Sequence, residues 1–143
     1  METLKENAQL IWMIDDDLIQ HFYFEKFIQI YRSNQRLLSF FNGEEAFEFM
    51  NEHRDDFALL PDVIFLDLNM PFVNGWQFLQ LYAQIKAGIK KTTKIYVLSS
   101  TINKDEINRA ESIPEVAGFF IKPLKPDDIT GVLSTQPTNL ANG

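Results

Sequence analysis

The chain repeats one pattern: a short apolar run is followed by a longer segment whose apolar residues recur mostly at helical spacing. The apolar runs predict five strands: LIWMI (10–14), RLLSF (36–40), DVIFL (62–66), KIYVL (94–98) and GFFI (118–121). The intervening segments predict helices at 17–32, 43–54, 75–87, 103–112 and 126–136. Because right-handed crossovers place each strand beside an earlier one, this alternation predicts a doubly wound α/β domain, with helices on both faces of a five-stranded parallel sheet.

Length and composition narrow the possible functions. The 143 residues leave room for one domain, predicted at 9–134 between an N-terminal extension (1–8) and a flexible polar tail (135–143). Thirteen Lys and Arg against twenty Asp and Glu give a net charge of −7, so we expect no nucleic-acid partner. With no cysteine, no signal peptide and no apolar run of roughly 18 residues, we expect a cytoplasmic protein without membrane contact.

Polar side chains follow four of the predicted strands. They are Asp15, Asp16 and Asp17 after the first strand, Asp67 after the third, Ser99 after the fourth and Lys122 after the fifth. In doubly wound folds ligands bind beyond the carboxyl ends of the strands, so we expect these side chains to share one shallow pocket. Taken alone, three consecutive aspartates would equally suit a helix cap, and Asp17 is predicted to be that cap. The two histidines, His21 and His53, have no paired spacing and are predicted to be ordinary helix residues.

Crowded carboxylates repel one another, and a hard cation with oxygen ligands relieves that repulsion. Mg²⁺ suits such a pocket because it takes one or two protein carboxylates and leaves coordination positions open for phosphate oxygens. We therefore predict Mg²⁺ as the cofactor and phosphoryl transfer as the chemistry, with Asp67 as a carboxylate nucleophile. Lys122 would neutralise phosphoryl oxygens, and the Ser99 hydroxyl would donate a hydrogen bond to one of them.

Four segments in this order, MIDDD, DVIFLDLNMPFVNGWQFL, IYVLSS and GFFIKPL, resemble the receiver domains of response regulators in two-component signalling. The resemblance covers about residues 9 to 130, and the four motifs together are far more specific than any one of them. It implies a flavodoxin-like receiver fold in a stand-alone response regulator. Such a protein accepts a phosphoryl group from a histidine kinase or a histidine phosphotransfer protein and signals by contact with a downstream protein. The resemblance also implies self-catalysed phosphorylation and dephosphorylation, but no metabolic enzyme activity.

The resemblance assigns the acceptor and the metal ligands. It makes Asp67 the phosphoacceptor and places Asp15 and Asp16 in the acidic pair that holds Mg²⁺ together with Asp67. It also implies that Asn69 contributes its backbone carbonyl to the metal.

The same resemblance assigns a conformational switch. Ser99 is its hydroxyl, and Phe119 is the aromatic residue that changes rotamer with it. Lys122 precedes a proline that is cis in the family, while Pro71 and Gly75 fit the loop after the acceptor. Because Ser99 stands where threonine is commoner and Phe119 where tyrosine is, we expect a switch of altered strength.

Two other classes share parts of this pattern. A haloacid-dehalogenase-like phosphatase would also use a strand-end Asp nucleophile with Mg²⁺, so it is the alternative reading of Asp67. That family needs a second Asp two residues after the nucleophile, where this chain has Asn69. A flavodoxin-like electron carrier is a third possibility, but three acids follow the first strand in place of a hydroxyl- and glycine-rich phosphate loop.

Overall fold

Five parallel strands form one sheet in the order β2-β1-β3-β4-β5, in a computed structural model that describes residues 8–31 and 35–134. The strands are β1 (Leu10–Ile14), β2 (Arg36–Phe40), β3 (Val63–Asp67), β4 (Lys94–Ser99) and β5 (Val116–Ile121). The helices are α1 (Leu18–Tyr31), α2 (Gly43–Glu52), α3 (Gly75–Ile85), α4 (Lys104–Glu111) and α5 (Pro126–Ser134). The predicted doubly wound parallel sheet is confirmed.

The observed boundaries differ from the predicted ones by one or two residues. β5 begins at Val116, two residues before the predicted start. α3 ends at Ile85, because the chain continues from there as a short 3-10 helix (Lys86–Gly88). A second 3-10 helix (Phe57–Leu59) was not predicted. The predicted tail (135–143), the end of the last helix beyond residue 134 and all of the predicted extension except Ala8 lie outside the described residues.

The sheet separates two apolar clusters, one on each face. Alternate residues of the central strands, among them Trp12 and Ile64, pack with side chains of α2, α3 and α4. The residues between them, among them Ile11 and Phe65, pack with side chains of α1 and α5. Every residue of β1 and β3 is therefore buried, which explains why β1 and the first four residues of β3 are continuous apolar runs.

Asparagine caps fix the start of three helices. In each case the asparagine side chain accepts a hydrogen bond from the backbone N–H of the residue three positions later, which satisfies one of the free donors of the first turn. The pairs are Asn42 with Glu45 (2.7 Å), Asn74 with Gln77 (2.9 Å) and Asn103 with Glu106 (3.1 Å). Each cap therefore stabilises the start of the helix that follows a strand of the sheet.

Strand register brings four strand ends to one edge of the sheet. Ile14 of β1 pairs with Leu66 of β3, so the residues that follow both strands are neighbours. β4 lies between β3 and β5 and ends at Ser99, which pairs with Ile121.

Within the described ranges, the structure contains no helix with both the length and the apolar content needed to cross a membrane.

Candidate functional site

Two buried carboxylates and one ammonium group meet at the carboxyl ends of the strands. The Lys122 Nζ atom lies 3.0 Å from Asp15 Oδ2 and 3.4 Å from Asp67 Oδ2. Asp15 is 0% exposed and Asp67 is 2% exposed. Because β4 separates β5 from β3, only a long side chain at the end of β5, such as that of Lys122, can reach across to both carboxylates. The predicted grouping of Asp15, Asp67 and Lys122 is therefore present.

Backbone hydrogen bonds hold these side chains in place. Asp15 Oδ1 accepts a hydrogen bond from the backbone N–H of Asp17 (2.9 Å), and Asp67 Oδ1 accepts one from that of Asn69 (3.1 Å). The backbone N–H of Lys122 donates to the carbonyl of Ser99 (2.8 Å), which fixes the end of β5 against the end of β4. The Lys122–Pro123 peptide bond is cis, as the family resemblance implies.

Close packing explains the glycine at position 75. A Cβ atom at Gly75 would lie 2.6 Å from the carbonyl oxygen of Asp67 and 2.7 Å from the Cα atom of Leu68. Any larger residue would push the start of α3 away from the end of β3, since both close contacts are with backbone atoms. Gly75 therefore lets α3 begin directly against the segment that carries Asp67.

Burial and neighbouring charges shift the pKa values of both Asp67 and Lys122. Burial, and next the Asp15 carboxylate, raise the pKa of Asp67 from 3.8 to about 7. For Lys122, burial alone would lower the pKa, but the carboxylates of Asp15 and Asp67 outweigh it and the pKa is raised. The site therefore stabilises a charged lysine but leaves excess negative charge whenever Asp67 is ionised.

The carboxylates fit the predicted metal. Carboxylate oxygens of Asp15, Asp16 and Asp67 all lie within 4.8 Å of one another, and Asp16 is exposed while the other two are buried. The buried Asp15 Oδ2 atom accepts no well-aligned hydrogen bond within the described residues. An all-oxygen set that is open on one side suits Mg²⁺, which keeps several water ligands. The role of the Asn69 carbonyl stays a prediction.

The two predicted switch residues lie on the same face of the sheet, the one that α4 covers. Ser99 is fully buried, and its hydroxyl donates a hydrogen bond to Glu106 Oε1 at 2.8 Å. Among the hydrogen bonds of the described residues, none joins Ser99 to Asp67. Phe119 is half-buried and packs against the cluster under α2, α3 and α4. Their roles in switching stay predictions.

Several contacts near the site test other predictions made from the sequence. Asp17 Oδ1 accepts a hydrogen bond from the backbone N–H of Ile19 (2.9 Å), which confirms Asp17 as the cap of α1. His21 is buried rather than an ordinary helix-face residue, and its Nε2 atom lies 2.7 Å from the backbone oxygen of Asp15. The sequence did not predict the contact between Glu106 and Ser99. Glu106 does stand three residues after a capping asparagine, but that spacing indicates a helix start and does not indicate a contact with Ser99.

Comparison with known proteins identifies the family. A family model described as "Response regulator receiver domain" matches residues 11–134. The chain belongs to this family. Receiver domains are signalling proteins rather than classical enzymes, they bind Mg²⁺ at an acidic pocket, and they interact with histidine kinases or phosphotransfer proteins and with downstream targets.

Individual relatives agree with this assignment. The receiver is 33% identical over 95 residues to the transcriptional regulatory protein LnrK of Bacillus subtilis and 30% identical over 89 residues to the probable methanogenesis regulatory protein FilR2 of Methanothrix harundinacea. Those matches cover 66% and 62% of this chain but only 38% and 55% of the two relatives.

Solved structures show the same fold. A two-component response regulator from Cytophaga hutchinsonii aligns with a TM-score of 0.79 at 26% identity, over 89% of this chain and 95% of that one. The Vibrio cholerae chemotaxis protein CheY4 aligns with a TM-score of 0.71 at 20% identity, over 89% of this chain and 97% of that one. The second likeness supports the fold alone.

Proposed function

We propose that this receiver accepts a phosphoryl group on Asp67 from a histidine kinase or a histidine phosphotransfer protein. The phosphorylated protein then signals in the cytoplasm by contact with a downstream protein. The observation that carries the proposal is the buried Asp67 carboxylate, with a lysine ammonium 3.4 Å away and two further carboxylates beside it. Phosphoryl transfer depends mainly on such positioning and on charge stabilisation.

The chain supplies the nucleophile and one cation. A carboxylate oxygen of Asp67 forms the new O–P bond while the P–N bond of the phosphoimidazole donor breaks, and the imidazole nitrogen keeps the electron pair of that bond. Lys122 already lies beside Asp67 Oδ2, so its ammonium is placed to stabilise the negative charge of the phosphoryl oxygens. Hydrolysis of the acyl phosphate by water later restores the carboxylate and releases phosphate, so the protein catalyses its own phosphorylation and dephosphorylation.

Metal binding belongs to the same proposal. When bound by Asp15, Asp16 and Asp67, Mg²⁺ supplies positive charge that favours ionised Asp67 at neutral pH and neutralises phosphoryl oxygens. The contribution of the Asn69 backbone carbonyl is part of this proposed ligand set.

The switch completes the proposal. The Ser99 hydroxyl donates a hydrogen bond to a phosphoryl oxygen on Asp67, and Phe119 changes rotamer as Ser99 moves. Both residues lie on the sheet face covered by α4, so the change alters the surface formed by α4 and β5, which we propose contacts the downstream protein. No observation favours the haloacid-dehalogenase-like alternative, since the side chain two residues after Asp67 is the amide of Asn69 and not a second acid.

Labelling with a small phosphodonor tests the acceptor. Acetyl phosphate or phosphoramidate with Mg²⁺ should add one phosphoryl group per molecule, which intact-mass measurement detects and peptide mapping places on Asp67. Asp67→Asn should abolish the label. Asp17→Asn is the matched control, since it removes a carboxylate at the same edge while asparagine still caps α1. Equal labelling of the parent and Asp67→Asn would overturn the proposal.

A further inference from the structure

The Ser99 hydroxyl is already engaged in the unphosphorylated structure. Its shortest hydrogen bond, at 2.8 Å, runs to the Oε1 atom of Glu106 in the first turn of α4. The same oxygen accepts a hydrogen bond from the backbone N–H of Thr101 (3.2 Å) and lies 3.3 Å from both the hydroxyl and the carbonyl oxygen of that residue. The carboxylate is the strongest acceptor of this set, because a hydrogen bond to an ionised group is stronger than one to a neutral group.

A serine hydroxyl has one proton to donate. When that proton points to Glu106, it cannot also point to a phosphoryl oxygen on Asp67. The two acceptors lie in different parts of the molecule, one on α4 and the other at the end of β3. Phosphorylation and the Glu106 contact therefore compete for the same donor.

We propose that Glu106 is a positioning residue that holds the Ser99 hydroxyl turned towards α4, so that it opposes the phosphorylated state. The proposal rests on the proposed function of Asp67 and Ser99 and extends it to a residue outside the acidic pocket. When the Ser99 hydroxyl turns to the phosphoryl group, the half-buried Glu106 carboxylate loses that hydrogen bond and accepts hydrogen bonds from water instead. The competition thus links the chemistry at Asp67 to the first turn of α4.

The surroundings of α4 suggest how far the effect reaches. At the start of the helix, the backbone N–H of Glu106 donates a hydrogen bond to the side chain of the cap residue Asn103 (3.1 Å). Glu106 therefore belongs to the capped first turn, and loss of its contact with Ser99 acts directly on that turn. Further along, the Arg109 guanidinium lies 4.0 Å from the centre of the Trp76 ring on α3. A shift of α4 would change this cation–π contact, which makes Trp76 a natural reporter.

Binding of beryllofluoride, a phosphoryl mimic, measures the competition without the kinetics of phosphorylation. We would titrate the intact protein with beryllofluoride at saturating Mg²⁺ and determine the affinity by isothermal titration calorimetry, with tryptophan fluorescence as a second readout. Glu106→Ala should bind the mimic about tenfold more tightly than the parent, which corresponds to about 1.4 kcal/mol. Glu106→Gln should fall between them, because the amide oxygen still accepts a weaker, uncharged hydrogen bond from Ser99.

Asp105→Ala is the matched control. Asp105 stands beside Glu106 in the first turn of α4 and is exposed, and within the ranges that the structure describes its side chain makes no hydrogen bond or ion pair. The control therefore removes the same charge and the same helix-dipole interaction without touching Ser99. Its affinity for beryllofluoride should stay within about twofold of the parent, the difference expected for an exposed charge.

A double-mutant cycle separates competition from general electrostatics. In a Ser99→Ala background, the further change Glu106→Ala should leave the affinity unchanged, because no hydroxyl remains to be shared. A merely structural or electrostatic role of Glu106 would produce the same gain in both backgrounds, and that result would overturn the inference. So would an effect of Glu106→Ala no larger than that of Asp105→Ala. If the parent fails to bind beryllofluoride at all, the proposed function itself is wrong, so the two failures are distinguishable.

Discussion

The two edges of the sheet carry buried charge in opposite ways. At the carboxyl edge, formed by the residues that follow the strands, Asp15, Asp16 and Asp67 face a single lysine. At the amino edge, where the strands begin, the buried Lys91 Nζ lies 2.7 Å from the carbonyl oxygen of Leu60 and 3.4 Å from Asp62 Oδ2. The Lys91–Asp62 pair thus sets one ammonium against one carboxylate, whereas Lys122 lies beside the three clustered carboxylates of Asp15, Asp16 and Asp67.

The pKa directions express this difference. At the amino edge burial dominates and lowers the pKa of Lys91, even though the Asp62 carboxylate acts in the other direction. At the carboxyl edge the carboxylates of Asp15 and Asp67 outweigh burial and raise the pKa of Lys122. A structural ion pair needs only enough charge to offset burial, but a site that receives a metal and a phosphoryl group must hold negative charge that the chain itself leaves unneutralised.

Removing the cation of the amino edge should destabilise the fold. Lys91→Met should lower the free energy of unfolding by about 2–4 kcal/mol, because it leaves the Leu60 carbonyl without the Lys91 donor and Asp62 without its cation. It also removes one of the two donors to the Phe57 carbonyl. Urea denaturation measures the loss. The exposed neighbour provides the control, since Lys90→Met should change stability by less than about 0.5 kcal/mol. Similar values for both variants would mean that Lys91 contributes nothing beyond an ordinary surface lysine.

Removing a charge at the carboxyl edge should have the opposite sign. Without Mg²⁺ and at pH 7.5, Asp67→Asn should raise the free energy of unfolding by about 1–3 kcal/mol, since it relieves the repulsion between buried carboxylates. Denaturation in the presence of a chelator tests this. Asp17→Asn, in the exposed cap of α1, should stay within about 0.5 kcal/mol of the parent. A destabilised Asp67→Asn would mean that Lys122 already balances the carboxylates.

The repulsion between these carboxylates should also make stability depend on pH. The folded-state pKa of Asp67, about 7, lies above its usual 3.8, so the folded metal-free protein binds more protons than the unfolded chain between these values. The stability that this group contributes is therefore complete at low pH and is lost as the pH rises through about 7. We expect the advantage of Asp67→Asn over the parent to grow as the pH rises from 3.8 to about 7 and to level off above that value. An advantage that does not vary with pH would contradict the raised pKa.

Much of this contrast could be predicted from the sequence, but part of it could not. Asp15, Asp67 and Lys122 were predicted to meet because each follows an apolar run, and parallel strands bring such positions to one edge. Lys91 gives no such signal, because two of its partners are backbone carbonyls around an unpredicted 3-10 helix. Glu106 was hidden for a related reason, since its contact with Ser99 depends on how α4 packs. Sequence pattern thus located side chains placed by strand ends but missed those placed by packing.

Metal binding provides a smaller test of the carboxyl edge. At a free Mg²⁺ concentration ten times its dissociation constant, the parent should gain about 1.4 kcal/mol of stability, and Asp16→Ala should lose most of that gain. Asp16→Ala should also be slightly more stable than the parent without metal, because one charge of the cluster is gone. Thermal melts with and without Mg²⁺ measure both effects. An unchanged Mg²⁺-dependent rise in melting temperature would exclude Asp16 as a ligand.

The smallest predicted effect concerns backbone strain, which proteins tend to store at functional sites. Among the described residues, Phe72 is the only one other than glycine with a positive φ, 64°, and it lies in the loop between β3 and α3 with 88% of its surface exposed. Because asparagine tolerates this left-handed conformation better than an aromatic residue does, Phe72→Asn should raise the free energy of unfolding by about 0.5–1 kcal/mol. Phe72→Ala removes the exposed ring but keeps a residue that disfavours positive φ, so its stability should stay close to that of the parent. Chemical denaturation of the three proteins separates the backbone from the side chain, and an equal gain in both variants would show that the exposed ring, not the left-handed backbone, is what destabilises this loop.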